Sequence, residues 1–242
     1  MTLSPPPSDD CPPRGDRFAS DGGVATTQAF YSRWARLYDT IARRTPGVGS
    51  LRERAATCLD PPTGGVVVDM GCGTGANLPY FRDRVGPAGR VVGVDFTPGV
   101  LAVARDALVD VPGVGVVRGD ATRPPVADAD AVFASFVSGM LSDPVAAVRT
   151  WADIAGPGGR LGLLDLARST RPVGRPLNAA FTLLVRATSP PGTRSRLTTS
   201  PTDLLDRRVV AAHTTLADCC HDVEHGTAAL GYARLTVGTV SE

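Results

Sequence analysis

Val66-Val67-Val68-Asp69-Met70-Gly71-Cys72-Gly73-Thr74-Gly75-Ala76-Asn77 is the stretch on which the reading of this 242-residue chain turns. Val66–Met70 is a short apolar run, and three glycines at alternate positions follow it directly. Glycine permits positive φ and lets a backbone approach a ligand closely, while the helix that the loop opens offers unpaired N–H groups. The stretch therefore reads as strand, ligand loop, helix.

Outward from the loop, Arg90–Asp95, Val114–Arg118, Ala129–Ser135 and Arg160–Leu166 are further short apolar runs. They are apolar on both faces, as strands are when helices cover both sides of a parallel sheet. The segments between them carry helix punctuation. Thr97-Pro98 precedes Val100, Leu101, Ala104 and Leu108, and Asp143-Pro144 precedes Val145, Val148 and Ala152, with Gly156-Pro157 as the stop. Five strands alternating with helices imply a doubly wound α/β sheet.

The flanks read differently. Residues 1–27 are rich in Pro, Asp, Ser and Gly and predict a disordered tail. Phe30, Tyr31, Trp34, Tyr38 and Ile41 give an aromatic stripe at helical spacing. Residues 168–200 break the strand–helix rhythm with arginines and prolines around one apolar stretch, Leu177–Val185. Ser200-Pro201-Thr202-Asp203 then predicts a helix to about Ala217. Val223–Val240, with a turn candidate at Gly231, predicts a terminal antiparallel hairpin.

Composition narrows the function classes. The formal charge is +1, and all 25 basic residues are arginine. Near-neutrality speaks against binding nucleic acid or an anionic membrane through a general basic field. The absence of lysine excludes Schiff-base and P-loop chemistry. Cys11, Cys58, Cys72, Cys219 and Cys220 are odd in number and irregular in spacing, which fits a reducing compartment better than a disulfide framework. No apolar run approaches bilayer length, and the N-terminus lacks the pattern of a signal peptide. A cytoplasmic protein is expected.

The glycine loop alone is ambiguous, since Gly71, Gly73 and Ala76 also satisfy the G-x-G-x-x-A pattern of dinucleotide sites. Asp95, at the end of the second strand, suits any cofactor with a ribose diol. Two carboxylates separate the readings. Asp69 stands just before the glycines, where it would repel a pyrophosphate and attract an ammonium or sulfonium. Asp120, in Gly119-Asp120-Ala121 after the third strand, can accept from an adenine amino group. In these motifs and their order the chain resembles the class I S-adenosylmethionine-dependent methyltransferases over roughly residues 28–166.

That resemblance implies a Rossmann-like sheet of seven strands in the order 3-2-1-4-5-7-6 with a terminal antiparallel hairpin. It implies a methyltransferase domain over 28–242, with residues 28–60 as a helical lid and 168–200 as a substrate-side insert. Asp69, Gly71, Cys72, Gly73, Thr74 and Gly75 would cradle the methionine part of S-adenosylmethionine. Asp95 would hold the ribose hydroxyls, Phe96 would pack on the adenine, and Asp120 and the Ala121 N–H would read its edge. Ser135 and Phe136 would face the sulfonium. Tyr31-x-x-Trp34-x-x-x-Tyr38-Asp39 resembles the N-terminal helix of ubiquinone/menaquinone-biosynthesis-like methyltransferases, with Tyr38 at the cofactor. That group has Phe-Gly-Leu-Arg-Asn where this chain has Phe136-Val137-Ser138-Gly139-Met140.

Direct methyl transfer needs alignment and exclusion of water but no protein nucleophile. A hydroxyl acceptor would need a base, for which Asp39, Asp165 and His213 are candidates. His213 otherwise reads as structural. Asp218–His225 is rich in Cys, His and Asp, yet it lacks a second ligand pair and reads as a solvated helix end; no metal is expected. Cys72, at a helix N-terminus, reads as a space-filling residue. The arginines of 168–196 read as a solvated loop, with an anionic substrate group as the alternative. The aromatic stripe and Leu177–Val185 suggest a small or lipid-like acceptor. A non-catalytic S-adenosylmethionine-binding scaffold is the competing function. An oxidoreductase lacks a Tyr-x-x-x-Lys pair.

Overall fold

The computed structural model describes residues 47–188 and 200–242. In chain order its elements are α1 (Val48–Leu59), β1 (Val66–Met70), α2 (Leu78–Val85), β2 (Arg90–Asp95), α3 (Pro98–Leu108), β3 (Val114–Arg118), β4 (Ala131–Ser135), α4 (Pro144–Ala155), β5 (Arg160–Leu166), α5 (Asn178–Thr188), α6 (Pro201–Cys219), β6 (Cys220–Ala228) and β7 (Ala233–Val240). The strands form one sheet in the order β3-β2-β1-β4-β5-β7-β6. The first five strands pair in parallel, whereas β7 runs antiparallel to both β5 and β6. This is the expected order, terminal hairpin included.

The doubly apolar strands explain the layering. Successive side chains point to opposite faces of a strand. Val67, Phe133 and Leu164 thus join Phe81 and Leu101 under α1, α2 and α3. Their neighbours Val68, Val132 and Leu163 join Trp151 and Leu216 under α4 and α6. Asp143 caps α4 as its spacing predicts, its Oδ1 accepting from the Ala146 N–H at 3.0 Å. Ser200 precedes α6 but makes no side-chain cap bond. Asp203, in the first turn, instead pairs with Arg168.

Several boundaries differ from expectation. β4 begins at Ala131 rather than Ala129, because the Ala129 N–H is taken by the Ile154 carbonyl at the end of α4. The apolar stretch Leu177–Val185 lies mainly in helix α5. α6 ends at Cys219, so Asp218 and Cys219 close a helix as expected, but from Cys220 the chain pairs with β7 as edge strand β6. At this edge His221, Asp222, Glu224, His225 and Thr227 are exposed, which accounts for the polar composition. Arg168 does not belong to a solvated loop, since two carboxylates of α6 hold it.

Of the segment 28–60 expected as a lid, Val48–Leu59 is a core helix that buries Ala55, Ala56 and Leu59. Arg160 on β5 fixes its last turn, donating to the Leu59 carbonyl at 2.8 Å and the Cys58 carbonyl at 3.0 Å. The disordered tail expected over 1–27 and the aromatic stripe, Tyr38 included, lie outside the described residues.

Candidate active site

Central strand β1 lies between β2 and β4, where the chain order of the sheet reverses. In open α/β sheets the crevice beyond the carboxyl ends of such strands binds ligands. Gly71, Gly73 and Gly75 fill it with φ values of 68°, 55° and 74°. A Cβ on Gly71 would stand 2.4 Å from Val137 Cγ2, whereas one on Gly73 would meet nothing within 4 Å. The loop is therefore pressed against the continuation of β4 on one side and open at its crest. Cys72 is buried, its N–H bonded to the Val94 carbonyl at 3.0 Å. Burial pushes its thiol well above the usual range, so the side chain fills space and is not a thiolate.

Asp69 is wholly buried. Its Oδ2 accepts from Asn77 Nδ2 at 3.1 Å, and its Oδ1 has no hydrogen-bond partner among the described residues. Burial pushes the carboxyl up to about 7, with the Asn77 bond and the nearby Arg52 charge opposing the rise. Asn77 is the hub of this cluster. Its amide also donates to Ser135 Oγ at 2.8 Å, and its Oδ1 accepts from Arg52 Nε at 3.0 Å. It stands at the N-cap of α2 but makes no cap bond, because the side chain is turned into the site instead.

Asp95 braces the loop. Its Oδ2 accepts from the Gly73 N–H at 3.0 Å and its Oδ1 from the Thr97 N–H at 2.8 Å. Burial raises its pKa and these backbone bonds oppose the rise. Asp120 is exposed, and its Oδ1 accepts from the N–H and hydroxyl of Thr122 at 2.8 and 2.9 Å. The adjacent Ala121 carbonyl accepts from Trp151 Nε1 at 2.7 Å, tying that loop to α4. Phe96 is half-buried after β2, and Thr74 is buried within the glycine loop. Phe136, after β4, has a φ of 59°, a left-handed conformation rare for a bulky residue and met mostly at functional sites.

A second polar cluster lies on the α4/α6 face, at the carboxyl end of β5. Ser138 donates a short hydrogen bond to Asp165 Oδ2, and His213 Nε2 lies 3.3 Å from the same oxygen. His213 Nδ1 is 2.7 Å from Thr236 Oγ1, which is in turn 2.9 Å from His225 Nδ1. Two of the three base candidates thus come together, while Asp39 lies outside the described residues. Ser138 and Asp165 are buried, and His213 is partly exposed.

Sequence reasoning missed Arg52, Ser138 and the bridging role of Asn77. Asn77 carried a signal, as a polar residue at the helix start right after the glycines. Arg52 and Ser138 carried none, because their partners are 25 and 27 residues away in sequence.

A buried carboxyl oxygen without a hydrogen-bond partner among the described residues, two positions before the glycine loop, suits a cationic amino-acid moiety and repels a pyrophosphate. Residues 68–163 match the methyltransferase domain family. Over these residues the chain carries a methyltransferase domain. It is 33% identical over 148 residues to the 2-phytyl-1,4-naphtoquinone methyltransferase of Thermosynechococcus vestitus, covering 60% of this chain and 66% of that protein. It is 36% identical over 140 residues to the nocamycin O-methyltransferase of Saccharothrix syringae, covering 55% and 48%. With the aklanonic acid methyltransferase DauC of Streptomyces sp. strain C5 it shares 33% over 141 residues, covering 56% and 62%. The chain thus spans about half to two thirds of the length of these relatives. In fold it resembles the S-adenosylmethionine-dependent methyltransferase of Aquifex aeolicus, with a TM-score of 0.59, 18% identity, and coverage of 86% of this chain and 98% of that one.

Proposed function

We propose that this protein transfers a methyl group from S-adenosylmethionine to a small organic acceptor. The observation that carries the reading is the wholly buried Asp69 carboxyl at the end of β1, one oxygen without a partner among the described residues, just before the glycine loop that is open at Gly73. Asp69 would neutralise the ammonium of the cofactor's methionine part, with Asn77 holding the carboxylate in place. Asp95 would take the ribose hydroxyls while bracing the loop, Phe96 would pack on the adenine, and Asp120 with Ala121 would read its edge. Gly71, Cys72, Thr74, Gly75 and Ser135 complete the cradle, and Tyr38 is assigned to the same site from its sequence resemblance. When bound, the cofactor supplies an already electrophilic methyl, so the protein's work is alignment and exclusion of water.

The named relatives act on a naphthoquinone, on nocamycin and on aklanonic acid, all small molecules, and the same class is proposed here as acceptor. Where that acceptor reacts through a hydroxyl, its proton has to leave. The Ser138–Asp165–His213 network is positioned at the carboxyl end of β5 to orient whatever group receives that proton. A cytoplasmic location is proposed from the cysteine pattern; among the described residues no helix is long and apolar enough to cross a membrane. The test is release of S-adenosylhomocysteine from S-adenosylmethionine in the presence of a panel of phenolic, quinol and β-keto acceptors. Acceptor-dependent release supports the reading. Tight cofactor binding with no release against any acceptor favours the scaffold alternative.

A further inference from the structure

We infer that the acceptor carries a carboxylate, which Arg234 binds as a handle in the cleft between α5, α6 and the start of β7. This deepens the methyl-transfer reading and rests on it for the identity of the ligand as an acceptor. The cleft has a volume of about 720 Å³, and its lining among the described residues includes Arg168, Thr170, Thr182, Asp206 and Arg234. It opens beyond the end of β5, the same edge of the sheet on which the glycine loop lies.

The two guanidinium groups in it are not equivalent. Arg168 is consumed by the scaffold: its N–H and Nε donate to Asp206 at 3.0 and 2.6 Å, and its Nη2 pairs with Asp203. Arg234 makes no ion pair among the described residues. Its Nη2 donates to the Arg168 carbonyl at 3.1 Å, which fixes the side chain and leaves its remaining donors for another partner. Asp203 and Asp206 together balance the charges of the two guanidinium groups among the described residues, so what the cleft offers a ligand is the set of Arg234 donors that no described carboxylate takes, with Thr170 and Thr182 in the same lining. One planar fork of donors matches a carboxylate, whereas a phosphate dianion would call for more charge.

The surrounding loop is held rigid, as a binding site needs. Asn178 clamps Ser169 in both directions, accepting from its N–H at 3.0 Å and donating to its carbonyl at 3.1 Å. Ser169 Oγ donates to the Leu230 carbonyl at 2.7 Å, and Tyr232 donates to the Gly174 carbonyl at 2.8 Å. These bonds tie the segment after β5 to the turn of the hairpin. Arg234 also pairs in register with Asp165, so the handle lies beside the buried network at the acceptor end of the sheet.

The test uses two probes of equal size, 1-hydroxy-2-naphthoate and its neutral amide, titrated calorimetrically into the full chain saturated with S-adenosylhomocysteine. The naphthoate should bind at least tenfold more tightly than the amide. Arg234→Gln should abolish that preference without changing amide affinity or the melting temperature, and Arg234→Lys should retain part of it. Thr182→Val, on the opposite wall, should weaken the naphthoate alone by a few-fold. Equal binding of the two probes by the wild type, or a preference that survives Arg234→Gln, overturns the inference. Saturation with S-adenosylhomocysteine is verified first by its own titration: failure there strikes the methyl-transfer reading, while loss of charge discrimination strikes only the carboxylate handle.

Discussion

The two halves of the sheet are built by different means. Around β1, β2 and the glycine loop, the loop's own braces are local: Asp95 reaches Gly73 across 22 residues and Asn77 reaches Asp69 across 8, with Ser135 joining Asn77 across 58. Around β5, β7 and α6, Asp165 meets His213 across 48 residues, and Arg234 meets Arg168 across 66. The first half carries a motif whose residues announce themselves together. The second is built from residues that α6 and the terminal hairpin bring back to β5. We read the first as the cofactor half and the second as the acceptor half, and each variant below probes whether they separate in that way.

The largest effect is expected where the halves touch. Gly71→Ala drives a Cβ into Val137 at a positive φ, and should cost about 2–3 kcal/mol in urea unfolding. Val137→Ala in the same chain should recover part of that loss. Full-strength stability of the single variant would mean that the loop and the β4 continuation are not in contact.

Within the acceptor half, Asp165→Ala removes the oxygen that Ser138 and His213 share, and should cost about 1–3 kcal/mol. It should lower turnover while leaving S-adenosylhomocysteine affinity unchanged. A matching loss of cofactor affinity would break the division between the halves.

The cofactor half carries its own pH signature. The Asp69 carboxyl titrates at about 7 in the folded protein, against about 3.9 unfolded. The folded state therefore holds this proton longer. Stability of the ligand-free protein from this group is highest below about pH 4, declines as pH rises toward 7, and levels off above it. An ammonium-bearing ligand prefers the ionised carboxylate, so S-adenosylhomocysteine affinity should rise between pH 5.5 and 7.5, by up to about 25-fold. Asp69→Asn should flatten both dependences. A wild-type affinity independent of pH across that interval would remove Asp69 from the ammonium site.

The smallest effect is expected at the outer end of the buried network. Thr236→Val removes the hydroxyl between His213 and His225 and should cost about 1 kcal/mol, read as a modest fall in melting temperature.

The same contrast explains what was legible in the sequence. Doubly apolar runs and helix punctuation set the five parallel strands to within two residues, since burial on both faces leaves a local trace. The glycine loop, Asp69, Asp95 and Asp120 stood out because spacing and residue type together specify them. The edge strand at Cys220 was misread because its solvent face is as polar as a helix end, and only pairing with β7 makes it a strand. Arg52 and Ser138 left no trace, as their partners in the site lie 25 and 27 residues away. His213 was read as structural or basic, and its place between Asp165 and Thr236 could come only from the fold.

The most direct test of the central claim is calorimetric titration of S-adenosylhomocysteine into the wild type and into Asp95→Ala. The account predicts saturable binding by the wild type, weakened about tenfold or more in the variant, which loses both the ribose acceptor and the brace on Gly73. A folded wild type that does not bind, or a variant that binds equally well, would contradict it.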